Sequence, residues 1–386
     1  MMLFNKKSAE EKAQQKQAKL RMKEIAKHNK AMMKKFEDEK KRKVNPSDYQ
    51  TTMRNTDNII EIENLHTYFY TDMGVVRSVN GVNIEIPRGK TVALVGESGC
   101  GKSVTSLSVM KLVRGPSGQI TEGAIRYNRE GGAIDLVKTP LDEMQHIRGN
   151  EIGMIFQEPM TSLNPVFRIG AQIDEAILLH RPDMKKDDVK KQTIEMLKLV
   201  GIARAEGIYS AYPHELSGGM RQRVMIAMSL CCNPKMIIAD EPTTALDVTI
   251  QAQVLELLRD IKDKIDASIL LITHDLGVVA EMADYVVVMY AGRIAEQGTA
   301  QEVFLNPKHP YTRGLIKSKP VVNKIVDRLY SIPGQVPNPV SLPNHCFFKD
   351  RCESCIAACE GPLPELQQVD TEHKVACHLY SQKEGK

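Results

Sequence analysis

The chain predicts an α/β fold built on a parallel β-sheet, with a smaller antiparallel β unit, a helical insertion and a loop-rich tail. Three observations predict it. The short apolar runs Thr91–Val95, Met236–Ala239, Ile269–Ile272 and Tyr285–Met289 are separated by helical stretches such as Ile250–Ile265, the pattern of β-α-β units whose strands are buried on both faces. The first run passes into a glycine-rich segment and then into the apolar helix Val104–Leu112. Ahead of it, Ile59–Tyr70 and Val75–Ile86 alternate apolar and polar residues around Met73-Gly74, as a β-hairpin with one buried face does.

Other segments follow in order. Residues 1–56 form a basic N-terminal extension, helical or disordered: positions 1–50 hold 15 basic and 7 acidic residues, so a chain of net charge +4 divides into a +8 extension and a −4 body. Strong helix formers fill it up to about Arg42. Ala18, Met22, Ile25, Asn29, Met32 and Phe36 trace a short a/d seam, while Asn45-Pro46-Ser47-Asp48 reads as a turn. The expectations are a solvated tail, or a docking element for a partner or an anionic membrane surface. Residues 172–200 read as helical, within an insertion from about 160 to 230. Beyond Asn306 prolines become dense, at 307, 310, 320, 333, 337, 339 and 343, marking a loop-rich appendage.

Composition excludes several classes. With 42% hydrophobic and 26% charged residues, the chain reads as an ordinary soluble protein. Its longest apolar run is Tyr285 to Ala291, far short of the roughly 18–20 residues that span a bilayer. Lys and Glu fill positions 6–43, so no secretory signal is expected. The eight cysteines include a C-terminal group at 346, 352, 355, 359 and 377, which in a reducing compartment reads as a metal site rather than a disulfide framework.

The chemistry starts at Gly96-Glu97-Ser98-Gly99-Cys100-Gly101-Lys102-Ser103, a G-x-x-x-x-G-K-[ST] phosphate loop placed between a strand and a helix. Glycines let the backbone approach phosphates and turn its N–H groups inward, and the helix N-terminus adds positive potential. Lys102 supplies charge to the β/γ-phosphates, and the Ser103 hydroxyl is a Mg²⁺ ligand. The run Met236-Ile237-Ile238-Ala239 ends in Asp240 and Glu241. A buried strand there puts Asp240 at the carboxyl edge of the sheet, where a hard cation takes oxygen ligands, and makes Glu241 the natural general base. Cys100 sits at a helix N-terminus, which lowers a thiol pKa; thiol reagents are then expected to block ATP binding. The alternative is an inert small residue in a tight loop. Cys231 and Cys232 read as core filler at a helix end.

Leu216-Ser217-Gly218-Gly219 opens another helix, Gln157 follows the strand Glu151–Phe156, Thr244-Ala245-Leu246-Asp247 follows Glu241, and His274 follows Ile269–Ile272. In this order the motifs closely resemble the ATP-binding-cassette (ABC) ATPase family over roughly residues 58–320. The resemblance implies a P-loop NTPase (ABC ATPase) core with an antiparallel β subdomain, an α-helical insertion and a small loop-rich C-terminal cysteine domain. The implied domains are 1–56, 57–320 with the helical subdomain at about 160–230, and 321–386.

It also implies roles. Gln157 is similar to the glutamine that senses Mg²⁺ and water and faces the membrane subunit. Asp240 resembles the Mg²⁺-supporting carboxylate, Glu241 the catalytic base and His274 the switch histidine at the γ-phosphate. Phe69 best matches the aromatic that stacks on adenine, with Tyr68 and Tyr70 as competitors and plain strand packing as the alternative. Ser217, Gly218 and Gly219 match the signature that caps ATP bound to the other cassette of a head-to-tail dimer, so one phosphate loop and one signature call for a second cassette.

Asp240 through Gln253, the segment Asn306-Pro307-Lys308-His309-Pro310-Tyr311-Thr312, Ile332-Pro333-Gly334 and the cysteine group resemble the D-type ATPase subunit of bacterial oligopeptide and dipeptide importers. Nickel and glutathione importers share much of the pattern. The resemblance implies two separate transmembrane permease subunits, an F-type partner ATPase, an extracellular or periplasmic peptide-binding protein reached indirectly, and a peripheral place on the cytoplasmic face of the membrane. It further implies a [4Fe–4S] cluster on Cys346, Cys352, Cys359 and Cys377. The residues alone leave Zn open, because Cys355, His345, His373 and His378 lie close in sequence, and leave the absence of metal open too. A soluble ABC protein acting on nucleic acid or ribosomes usually carries two cassettes or a long coiled-coil insertion, and neither is present, so no nucleic-acid partner is expected.

Overall fold

The computed structural model describes residues 9–157, 162–244, 247–318 and 330–381. Its strands are β1 (Asn58–Thr71), β2 (Gly74–Pro87), β3 (Thr91–Val95), β4 (Gly118–Arg129), β5 (Gly132–Asp135), β6 (Ile152–Ile155), β7 (Met236–Asp240), β8 (Ser268–Ile272), β9 (Tyr285–Tyr290), β10 (Arg293–Thr299), β11 (Gln367–Asp370) and β12 (His373–Val375). β1 and β2 form the expected hairpin, extended by β4 and β5 into an antiparallel sheet ordered β2-β1-β4-β5. The other sheet runs β11-β12-β10-β9-β3-β8-β7-β6, and its strands from β9 to β6 are parallel.

Every residue of β3, β7 and β8 is buried, and the period-two alternation of a strand divides their side chains between two faces. Ile237, Ala239, Ile269 and Leu271 pack on one face with Ile169, Ile173, Ile177, Val224 and Val254 of the helices. Met236, Ile238, Leu270 and Ile272 pack on the other with Ile60, Leu65, Val82, Ile84 and Ile125 of the antiparallel sheet. The sheet is thus enclosed by the helical insertion and the β unit.

Residues 172–200, expected as one helical stretch, fall in two helices, Ile169–His180 and Lys186–Leu199, and the insertion also holds the helices Ala205–Ser210 and Gly218–Leu230. Pro182 causes the break, since a proline drives the residue before it out of the helical region, and Arg181 has φ −135. The basic extension forms the helix Ala9–Lys40, and part of its a/d seam packs on the molecule itself. Asn29, 7% exposed, donates from Nδ2 to the Thr71 carbonyl at 2.9 Å. The His28 ring lies 5.9 Å from that of Tyr70, and the Phe36 ring covers Gly115. Asn45-Pro46-Ser47-Asp48, expected as a turn, leads into the single helical turn Pro46–Tyr49.

The proline-rich tail is less of an appendage than its composition suggests. β12 pairs with β10 through Glu296↔Val375 and extends the main sheet, and Tyr311, Phe347 and Phe348 pack on Ala93, Val95, Val286 and Val288. Glu296 is the polar centre of this junction. It is fully buried, and its carboxylate accepts from the Lys308 N–H at 2.6 Å and the His309 N–H at 2.8 Å, with His373 Nε2 at 2.7 Å. Burial pushes the His309 pKa down to about 4, and its Nδ1 accepts from the Tyr311 N–H at 3.0 Å. These hydrogen bonds give the His309-Pro310-Tyr311 segment a structural role. Glu296→Leu strands three partners at once, His309 and His373 of them buried, and should cost about 3–5 kcal/mol, seen as a lower urea midpoint, while Glu296→Gln, which retains an acceptor, should lose less. An unchanged midpoint in Glu296→Leu would contradict this account.

Candidate functional site: the phosphate loop and the carboxyl edge of the sheet

β3 delivers the chain to Gly96, where φ is +151 and a Cβ would lie 2.2 Å from the Met289 carbonyl oxygen. Gly101, at φ +106, would meet the Ser78 carbonyl at 2.2 Å. Only glycine fits either position, so the loop is held tightly from outside while Ser98 and Gly99 remain exposed. Gly101 leads into the helix Lys102–Val109. Lys102 is 6% exposed, and its Nζ donates to the carbonyls of Gly96 at 2.8 Å and Glu97 at 3.2 Å.

Asp240 ends β7, between β6 and β8, and so emerges beside this loop. Its Oδ1 accepts from the Ser103 hydroxyl at 3.0 Å and its Oδ2 from Ser106 at 3.3 Å. Burial raises its pKa, against the lowering effect of the Ser103 hydrogen bond. The Asp240 carboxylate and the Ser103 hydroxyl are oxygen donors of the kind a hard divalent cation takes. Glu241, at φ +48, turns away to meet two other segments and its own following loop. Its Oε2 accepts from Gln157 Nε2 at 3.0 Å and Thr244 Oγ1 at 2.9 Å, and its Oε1 lies 3.3 Å from His274 Nδ1. Gln157 and His274, expected to act together with Glu241, therefore both meet its carboxylate.

Ser217 caps the helix Gly218–Leu230, its Oγ accepting from the Met220 N–H at 3.3 Å. Ser217 and Gly218 are exposed. One turn on, buried Gln222 donates to the Pro242 carbonyl, tying this helix to the Asp240-Glu241 segment, and Gly219 packs beside Ile250. Asp247 caps the helix Val248–Ile265 by accepting from the Ile250 N–H at 3.0 Å. Ala245 and Leu246 of the same loop lie outside the described residues. Of the three candidate aromatics, Tyr70 is buried against His28, and Tyr68 donates from its hydroxyl to Asn80 at 2.8 Å beneath the Arg77 guanidinium. Phe69 is half-buried beside Gly118 and Val113.

Two expectations about cysteines change. Cys100 is 1% exposed, and burial raises its pKa although Lys102 lowers it; the inert reading replaces the reactive thiol, because its Sγ is packed against Gly96. Cys346, Cys352, Cys359 and Cys377 do gather. The Cys346 N–H donates to the Cys359 carbonyl at 3.3 Å. Burial pushes Cys377 up to about 11, aided by the charges of Cys346, Cys352 and Cys359. Yet among the described residues no group of three or more His, Cys, Asp or Glu is placed to hold a metal ion, so the geometry does not support the expected [4Fe–4S] cluster, nor Zn in its place. Cys231 and Cys232 are buried, as expected of core filler.

Sequence reasoning missed what holds the phosphate loop from behind. The Glu97 N–H donates to the Tyr311 hydroxyl at 2.8 Å, and the Glu97 carboxylate takes a forked pair of hydrogen bonds from Arg351. Tyr311 stood inside a recognised segment, but no spacing rule links positions so far apart in the chain.

Residues 79–244 match the family model for the ABC transporter, and residues 295–359 that for the oligopeptide/dipeptide transporter, C-terminal region. The oligopeptide transport ATP-binding protein AppD of Bacillus subtilis (strain 168) is 51% identical over 325 residues, covering 84% of this chain and 98% of the relative. The dipeptide transport ATP-binding protein DppD of the same organism is 47% identical, covering 84% and 96%. Among solved structures, the dimeric MJ0796, a bacterial ABC transporter cassette, aligns with a TM-score of 0.55 at 26% identity, over 62% of this chain and 98% of that one. Fold and site together define an ATP-hydrolysing cassette. The chain belongs to the ABC transporter family, among the ATP-binding proteins of oligopeptide and dipeptide transporters.

The environment of Cys100 makes a prediction. At pH 7.5 iodoacetamide should modify exposed Cys355 at least about tenfold faster than Cys100, since the thiolate is the nucleophile and burial suppresses it. Peptide mass spectrometry along a time course measures both rates, and comparable rates would restore the reactive reading of Cys100.

Proposed function

We propose that this chain is the ATP-hydrolysing subunit that powers import of oligopeptides or dipeptides, working with transmembrane permease subunits. The observation that carries the reading is the convergence of Gln157, Thr244 and His274 on Glu241, next to an Asp240 that receives Ser103. Lys102 and the loop from Gly96 to Ser103 bind the phosphates, and Phe69 stacks on adenine. Ser103, Asp240 and Gln157 would hold Mg²⁺, which neutralises charge on the β- and γ-phosphates. Glu241 Oε accepts the proton of the attacking water, Gln157 orients that water, and His274 donates to the γ-phosphate.

Ser217, Gly218 and Gly219, exposed or half-buried at a helix N-terminus, bind the ATP held by a second cassette, which we assign to an F-type subunit in a heterodimer. Among the described residues no helix is long and apolar enough to cross a membrane, which fits a peripheral subunit on the cytoplasmic face. The exposed side chains Phe156, next to Gln157 in the chain, Val166 and Phe167, at 40%, 70% and 56% exposure, offer the permease an apolar seat. We divide the chain into an extension to residue 56, a cassette to about 320 and a C-terminal domain beyond.

Replacing Glu241 with Gln should lower ATP turnover by about 10²–10⁴-fold, the range for a lost general base, and leave ATP binding and cassette pairing intact. Turnover near the wild-type rate would overturn the assignment.

A further inference from the structure

Glu97 is the second residue of the phosphate loop, and three different parts of the molecule hold it. Its N–H donates to the Tyr311 hydroxyl at 2.8 Å. Its carboxylate accepts from Arg351 Nη1 at 2.7 Å and Nη2 at 2.9 Å. Its carbonyl accepts from Lys102 Nζ at 3.2 Å and from the Cys100 N–H at 3.3 Å. The residue is therefore a joint: the tail holds its N–H and carboxylate, and the phosphate-binding lysine holds its carbonyl.

The tail side of the joint is rigid. Arg351 is 6% exposed; its Nε donates to the Pro333 carbonyl at 2.8 Å and its Nη1 to the Tyr290 hydroxyl at 3.3 Å. The guanidinium lies 5.7 Å from the Tyr290 ring centre and 5.8 Å from that of Phe348. Tyr311 is fully buried, with its ring 4.7 Å from Tyr290 and 5.5 Å from Phe348. A forked arginine–carboxylate pair constrains direction as well as distance, and buried partners do not yield it easily to water. None of these residues belongs to the hydrolytic set around Glu241.

We propose that Arg351 and Tyr311 are positioning residues for the phosphate loop: by fixing Glu97, the docked tail sets the loop conformation in which Lys102 and the backbone N–H groups receive ATP. Nucleotide affinity then depends on the tail, and by linkage bound nucleotide strengthens tail docking by the same factor. The effect falls on binding rather than on turnover, because preorganisation removes an ordering cost without adding a contact to the reacting atoms. The inference rests on the phosphate-loop assignment.

Binding of the fluorescent analogue mant-ATP with Mg²⁺ to the full chain tests it. Arg351→Gln and Glu97→Gln should each weaken binding by about tenfold, equivalent to about 1.4 kcal/mol, and the double variant should be no weaker than the worse single one. Tyr311→Phe, which keeps the ring and removes the hydroxyl, should raise the KM for ATP several-fold with kcat unchanged and the thermal midpoint preserved. Amide exchange across 346–359 should slow when ATP is added to the wild type and not to Glu97→Gln. Wild-type affinity in both Arg351→Gln and Tyr311→Phe, or additive losses in the double variant, would overturn the positioning role of Arg351 and Tyr311 while Lys102→Ala still loses binding. Wild-type affinity in Lys102→Ala would instead overturn the phosphate-loop assignment beneath it.

Discussion

Parallel pairing of β3, β7 and β8 makes their carboxyl ends emerge along one edge, and everything chemical in the molecule hangs on that edge. Strands buried on both faces need cover on both, which the helical insertion and the antiparallel sheet provide. The loops after the strands are all that remains exposed along the edge. Gly96, Asp240-Glu241 and His274 follow three adjacent strands, so segments more than a hundred residues apart meet without any local sequence signal. In open parallel sheets this edge is where ligands bind.

Adjacent carboxylates at this edge are put to different uses by burial. Asp240 completes a strand and stays within the packed interior, where desolvation raises its pKa and two serine hydroxyls compensate. Glu241 adopts a left-handed backbone, which costs a non-glycine residue some strain, and swings to the surface to meet Gln157, Thr244 and His274. Neighbours in sequence thus reach different surroundings, Asp240 between two serine hydroxyls and Glu241 among Gln157, Thr244 and His274.

The tail shows how a segment poor in apolar residues can still be built in. Its few large side chains, Tyr311, Phe347 and Phe348, are placed against β3 and β9, and its charged residues are spent on specific partners rather than on solvent. Glu296 gathers two backbone N–H groups and His373, while Arg351 reaches Glu97. Such buried polar contacts contribute modest net stability but impose geometry, and the geometry imposed here is that of the nucleotide loop.

Apolar periodicity and motif spacing in the sequence alone determined the strands from β1 to β3 and β7 to β9, the phosphate loop and the Asp240-Glu241 pair, because each of those signals lies within a few neighbouring residues; Gln157 and His274 were marked only by resemblance to the ABC ATPase family. The break at Pro182 and the strands β11 and β12 were not legible: the first needed one proline weighed against a long helical pattern, and the others are short and polar, stabilised only by the edge they join. The quiet character of Cys100 also depended on folding, since a helix N-terminus favours the thiolate while the side chain of a folded loop is buried. The tail's grip on Glu97 belongs wholly to the tertiary structure, because a hydrogen bond between residues 97 and 351 has no period or motif. Only the packing of Phe348, Tyr290 and Tyr311 brings those two side chains within reach.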